Sequence, residues 1–68
     1  MSFILVYDFP RTFHTARRQL NRKLHRIGAE KLQDSVWKCN DLQALIDVAL
    51  FIKSFGGRAE ILEEKFVF

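Results

Sequence analysis

The run Ser2-Phe3-Ile4-Leu5-Val6-Tyr7-Asp8 constrains this chain more than any other stretch. It is rich in β-branched and aromatic residues and ends abruptly in a carboxylate, so it reads as a β-strand. Both of its parities are apolar, with Phe3, Leu5 and Tyr7 on one face and Ile4 and Val6 on the other. A strand in a sheet with one wet face alternates apolar and polar residues. This one therefore asks for cover on both sides. Phe9-Pro10 ends it, because proline donates nothing to a ladder and holds the residue before it extended.

The chain that follows is clearly punctuated. Phe13, Ala16, Leu20, Leu24 and Ile27 recur at threes and fours, which makes one face of an α-helix. Thr12 is its expected N-cap and Gly28 its C′ residue. Arg11, Arg18, Arg22 and Arg26 fall opposite the apolar stripe on a helical wheel. Arg17 lies at the border of the stripe, where its stem can pack while its guanidinium reaches over the sheet edge. Residues Glu30–Gln33 and Val36–Asn40 read as two short strands around a tight turn at Asp34-Ser35, although a single bent strand gives the same pattern. Asn40 or Asp41 caps a second helix, and Asn40 with Gln43 has the pattern of a capping box. Leu42, Leu45, Ile46, Ala49, Ile52 and Phe55 form its apolar face, widened by Val48 and Phe51, and Gly56-Gly57 stops it. Residues 58–68 make a last strand region that ends in Phe66-Val67-Phe68.

The order is β-α-β-β-α-β. It predicts an α+β fold, the ferredoxin-like plait, with a four-stranded antiparallel sheet and two helices on one face. The open face, assigned here to Phe3, Leu5 and Tyr7 and joined by the tail aromatics Phe66 and Phe68, then needs a cover. A second copy is the simplest one. The expectation is a symmetric homodimer, formed sheet to sheet or through exchanged C-terminal segments.

The 68 residues predict one domain, 1–68, too small to be more than marginally stable alone. A lone cysteine, Cys39, supports no disulfide framework; it suits a reducing compartment and reads as a small buried hydrophobe. The longest apolar runs, Phe3 to Tyr7 and Val48 to Ile52, fall far short of the roughly 18 residues that cross a bilayer. No basic n-region with a cleavage site opens the chain. The expected location is the cytoplasm, with no membrane partner. The net charge of +3 hides an asymmetry. Residues 1–31 carry seven Lys or Arg against Asp8 and Glu30, whereas residues 32–68 carry four against six acids. Positive charge concentrated in one element is the footprint of a polyanion binder, though a solvated helix face has the same composition.

Asp8 is the candidate catalytic and metal-binding residue. It ends a strand beside the arginine-rich segment, and hard carboxylates with open positions suit Mg²⁺ or Mn²⁺ bound with waters and a phosphate. Such an ion polarises a phosphodiester and activates water. Asp8 has no second acid near it in sequence, so only two copies of it, brought together by a dimer, make a metal site. The competing reading is that Asp8 solvates the turn before Pro10. His14 and His25 fall on or beside the basic face and suit solvent or phosphate better than a metal. Ser35 reads as a turn residue, and Trp37 and Tyr7 as core or as stacking surfaces. No glycine-rich phosphate loop, nucleophile elbow or Cys-His pairing occurs.

Three pieces in order resemble a known family. They are Phe3-Ile4-Leu5-Val6-Tyr7-Asp8, then Arg17-Arg18-x-Leu20-x-x-x-Leu24-x-x-x-Gly28, then Leu32-Gln33-Asp34-Ser35-Val36-Trp37. Over about the first forty residues the chain resembles the small CRISPR-associated "Cas-two" proteins of the spacer-acquisition machinery. The resemblance implies a ferredoxin-like homodimer with Mg²⁺ or Mn²⁺ at the paired aspartates that end the first strands, here Asp8. It implies that Arg17 and Arg18 face nucleic acid; the charge of the basic helix face adds Arg11, Arg22 and Arg26 as candidate nucleic-acid contacts. Family members are metal-dependent endonucleases of RNA or DNA, or non-catalytic dimeric bridges between integrase subunits that grip duplex DNA. The chain departs from the pattern at Trp37, usually phenylalanine, at Lys38, where an acid is common, and in a short tail after Gly57. The tail bears on docking to an integrase more than on dimerisation. Plaits of the VapD toxin type share the Tyr-Asp strand, which makes a toxin-like ribonuclease the alternative.

Overall fold

The elements are β1 (Phe3–Asp8), α1 (His14–Arg26), β2 (Glu30–Gln33), β3 (Val36–Cys39), α2 (Leu42–Ser54) and β4 (Arg58–Glu63). The computed structural model describes residues 1–65. The expected role of Phe66 and Phe68 in a dimer interface lies outside the described residues. The strands form one antiparallel sheet in the order β2-β3-β1-β4, with both helices packed on one face, which is the ferredoxin-like arrangement the element order predicts. β1 is central. Phe3 to Val6 pair with β3, and Phe3 to Asp8 pair with β4. The ladder runs on at both ends, where the Tyr7 amide donates to the Ser35 carbonyl at 3.1 Å and the Glu64 amide to the Ser2 carbonyl at 2.9 Å.

The sheet face assigned to the dimer from the sequence is the wrong one. Leu5 is 0% exposed and sits between Trp37 and Ile61, with Leu20, Leu24, Leu45 and Ile52 in the same core. Phe3 and Tyr7 pack against that core too. Phe3, Leu5 and Tyr7 are therefore covered by the chain's own helices and not by a second copy. Each fully buried aliphatic side chain here contributes about 1.5–3 kcal/mol. The outward parity is Ile4 and Val6, with Val36, Lys38 and Leu62 as cross-strand neighbours. Neighbours decide between the two apolar parities. Trp37 and Ile61 flank Leu5, whereas Lys38 flanks Ile4 and needs water or a counter-charge, which Glu64 supplies at 3.5 Å. Val6 is 37% and Leu62 50% exposed on this open face.

The helix ends follow local rules, with two corrections. Thr12 does not cap α1. The Phe13 amide bonds the Pro10 carbonyl at 3.4 Å, which closes a turn over Arg11 and Thr12, and the helix begins after Phe13 with no side-chain cap. Arg11 thus stands in the turn, off the helix. At the other end Gly28 adopts φ +75°. The Gly28 amide bonds His25 and the Ala29 amide bonds Leu24, a Schellman closure that the left-handed residue makes possible. α2 is capped by Asp41 and not Asn40: its carboxylate accepts from the Ala44 amide at 3.1 Å. No capping box forms, because the Gln43 side chain donates to Asp47. α2 closes with the same pair of bonds, from Gly56 to Lys53 and from Gly57 to Ile52. Its buried face is Leu45, Val48 and Ile52, while Leu42 and Ile46, expected in the core, are exposed beside Leu50.

Candidate functional site

Asp8 is the last residue of β1, and its register partner is Arg58. It shares the outward parity of Ile4 and Val6. The chain then turns under the helices, because Phe9 is buried against Phe55 (ring centroids 5.8 Å apart) and Phe51 (6.4 Å). That anchor swings Pro10 and Arg11 back beside the strand end.

The result is a cleft of about 310 Å³ between the end of β1, the first turns of α1 and the β2–β3 hairpin. Asp8, Arg11, Arg17, Asn21, Lys31 and Asp34 supply its charged and amide groups, over Tyr7, Phe9 and Ser35. Arg17 reaches this cleft from the border of the apolar stripe, where the helical wheel puts it. Ser35 adopts φ +64° in the hairpin turn, which carries the Lys31–Asp34 end of the hairpin to the cleft wall. Lys31 Nζ lies 3.1 Å from Asp34 Oδ1. Both side chains are solvated, so the pair contributes at most about 1 kcal/mol. Among the described residues, Asp8, Arg11 and Arg17 make no ion pair.

Two unpaired guanidiniums facing one cleft suit an oxyanion, since each presents forked N–H donors to phosphate oxygens. Asp8 adds its carboxylate to the same lining. The residues of one chain do not fit a Mg²⁺ or Mn²⁺ site. Such ions bind through carboxylates plus phosphate and water, Asp34 is engaged by Lys31, and Asp8 alone remains among cations. Among the described residues no three of His, Cys, Asp and Glu gather as ligands.

The basic surface expected along α1 is divided. Arg11 and Arg17 line the cleft. Arg22 and Arg26 face the other way and line a hollow toward α2 with Gln19, Lys23 and Phe51. Arg18 is exposed and lines neither. His25 sets its ring edge-on to Trp37 at 5.3 Å, and His14 lines a separate hollow near Phe13. Trp37 is core, 2% exposed, and among the described residues its indole N–H has no hydrogen-bond partner. Asn21, Lys31 and Asp34 were not singled out from the sequence. Asn21 had a signal, since it stands four residues after Arg17 and so shares its flank. Lys31 and Asp34 had none until the hairpin folds them onto the end of β1.

Comparison of the chain with protein-family models and with curated proteins found no match. Among the described residues no helix is long and apolar enough to cross a membrane.

Proposed function

We propose that this chain is a cytoplasmic nucleic-acid-binding homodimer of the kind formed by the Cas-two proteins it resembles, with a backbone phosphate held between Arg11 and Arg17. The observation that carries this reading is the cleft that gathers Arg11, Arg17 and Asp8 at the end of the central strand. The net positive charge of the first half of the chain supports it, because phosphate contacts from Lys and Arg supply most of the affinity of such proteins. The dimer forms through the outward face, with Ile4, Val6, Val36 and Leu62 at its centre and charges of both signs around them. Asp8 lies on the same parity, so a two-fold axis near that end of β1 brings two Asp8 carboxylates together. Among the described residues that pair supplies the carboxylates a divalent ion needs beside phosphate and water, and endonuclease activity on RNA or DNA belongs to the dimer.

A second reading, a non-catalytic bridge that grips duplex DNA and docks an integrase subunit, is favoured by the cationic setting of Asp8 and by the pairing of Asp34, the other acid of the cleft among the described residues, with Lys31. One experiment separates the two. Labelled RNA and DNA are incubated with the parent chain and Asp8→Asn, with and without Mg²⁺ or Mn²⁺, while binding is followed by anisotropy. Metal-dependent cleavage lost in Asp8→Asn supports the nuclease. Binding without cleavage in both proteins supports the bridge, and absence of binding in both defeats the proposal.

A further inference from the structure

The α1–α2 seam lies on the helix side of the molecule, away from the cleft, and its lining is both aromatic and basic. At one end a hollow of about 470 Å³ is bounded by Phe13, Phe55, Thr12, His14 and Gln19. Phe13 is 42% exposed, and its ring leans on Phe55 at 5.4 Å, so Phe55 holds the ring while much of it stays bare. Gln19 also borders the next hollow, of about 300 Å³, with Arg22, Lys23, Arg26 and Phe51. The two hollows therefore adjoin. Lys23 Nζ stands 5.0 Å from the centre of the Phe51 ring, which fixes its stem along the seam. Among the described residues Arg22, Lys23 and Arg26 make no ion pair. A helix the length of α1 spans roughly 20 Å, so the hollow at Phe13 and the cations of the adjoining hollow fall within a few nucleotides' reach.

A bare aromatic ring followed by unpaired cations matches the chemistry of an unpaired strand. Each base offers a π-face to stack, whatever its identity, and each phosphate offers a charge. Thr12, His14 and Gln19 give the hollow hydroxyl, imidazole and amide groups for base edges. A duplex keeps its bases stacked internally and has no face to offer Phe13.

We infer that the α1–α2 seam is a binding track for single-stranded nucleic acid, with an unpaired base stacked on Phe13 and the adjoining phosphates met by Arg22, Lys23 and Arg26. The inference rests on the nucleic-acid-binding reading and adds to it a second surface and a strandedness. α1 thereby serves two ligand surfaces, with Arg17 turned to the cleft and Arg22 to the seam.

The test is an anisotropy titration of the full chain with labelled oligothymidylate and with a duplex. The proteins compared are the parent, Phe13→Leu, Phe13→Tyr, Arg22→Ala and Arg17→Ala, with Trp37 emission as the check that each is folded. Phe13→Leu keeps the apolar contact to Phe55 but removes the π-face. It is expected to weaken single-strand binding about 10-fold and to leave duplex binding unchanged, with Phe13→Tyr restoring the parent affinity. Arg22→Ala is expected to reduce the salt slope for the single strand by about 0.7, and Arg17→Ala to weaken the duplex alone. The inference is overturned if Phe13→Leu binds oligothymidylate as the parent does, if duplex and single strand weaken together, or if poly-glutamate competes as well as the oligonucleotide. If the seam variants are silent while Arg17→Ala weakens the duplex, the seam fails and the cleft stands. If neither nucleic acid binds, both fall.

Discussion

Gly57 stands hard against Asp8: a methyl group at residue 57 would lie 2.6 Å from the Asp8 carbonyl oxygen and 2.7 Å from Cγ2 of Ile52. The close approach joins the end of α2 to the end of β1 and helps set where the Asp8 carboxylate emerges. Gly57→Ala should destabilise the chain by about 1–3 kcal/mol, as overpacking does. Chemical denaturation measures it. Parent-like stability would mean that the end of β1 yields freely, and that Gly57 does not position Asp8.

The Asp41 carboxylate accepts from the Ala44 amide and is the side-chain cap of α2. Asp41→Ala should cost about 1 kcal/mol, which in a domain of this size lowers Tm by roughly 4–8 °C. Asn40→Ala should leave Tm in place. An equal drop in both variants would reassign the cap.

Trp37 buries an indole N–H that has no acceptor among the described residues. Trp37→Phe removes that donor, worth about 1–3 kcal/mol of relief, and opens a small cavity that costs a similar amount. The two effects should nearly cancel, leaving a change under about 1.5 kcal/mol. Trp37→Ala has no such compensation and should cost about 3–5 kcal/mol. A large loss in Trp37→Phe would show that the N–H has a partner in solution.

The outward sheet face is tested with Val6→Lys and Leu62→Lys. Both positions are exposed in the single chain, so folding tolerates the charge. Sedimentation should give a dimer for the parent and a monomer for either variant at micromolar concentration. Dimers that persist in both variants would move the interface off this face.

Removing one guanidinium from the cleft should flatten the salt dependence of duplex binding. Arg11→Ala and Arg17→Ala should each reduce the slope by about 0.9 if each meets one phosphate. Unchanged slopes would make the cleft arginines bystanders.

Most of the element order was legible, because each helix carries a threes-and-fours stripe and a glycine stop, and β1 reads as a strand without help from its surroundings; the break between β2 and β3 was not, since a single bent strand has the same pattern. The inward face of β1 was not legible. Leu5 and Ile4 are equally apolar, and the choice between them rests on Trp37, Ile61 and Lys38, which reach β1 only through strand pairing. Thr12 misled for a similar reason. Its residue type suits a cap, but the bond from Phe13 to the Pro10 carbonyl commits it to a turn. In the cleft, Asp8 and Arg17 could be read from position along the chain, since one ends the strand and the other borders a stripe. Lys31 and Asp34 arrive there by tertiary folding and leave no mark in local sequence. The division of the α1 arginines was half legible: the wheel separates Arg17 from Arg22, but not the surfaces that receive them.

The pairing of β1 with β4 has a kinetic consequence. Phe3 lies opposite Glu63, so the central strand meets one of its two neighbours across nearly the whole chain, whereas β3 reaches it much sooner. Loop closure over that distance is slow relative to local contacts. On the ribosome, β1 therefore waits half-paired, with the row of backbone amides and carbonyls that faces β4 open, until β4 has been made. During that interval the apolar strand is most exposed to other chains.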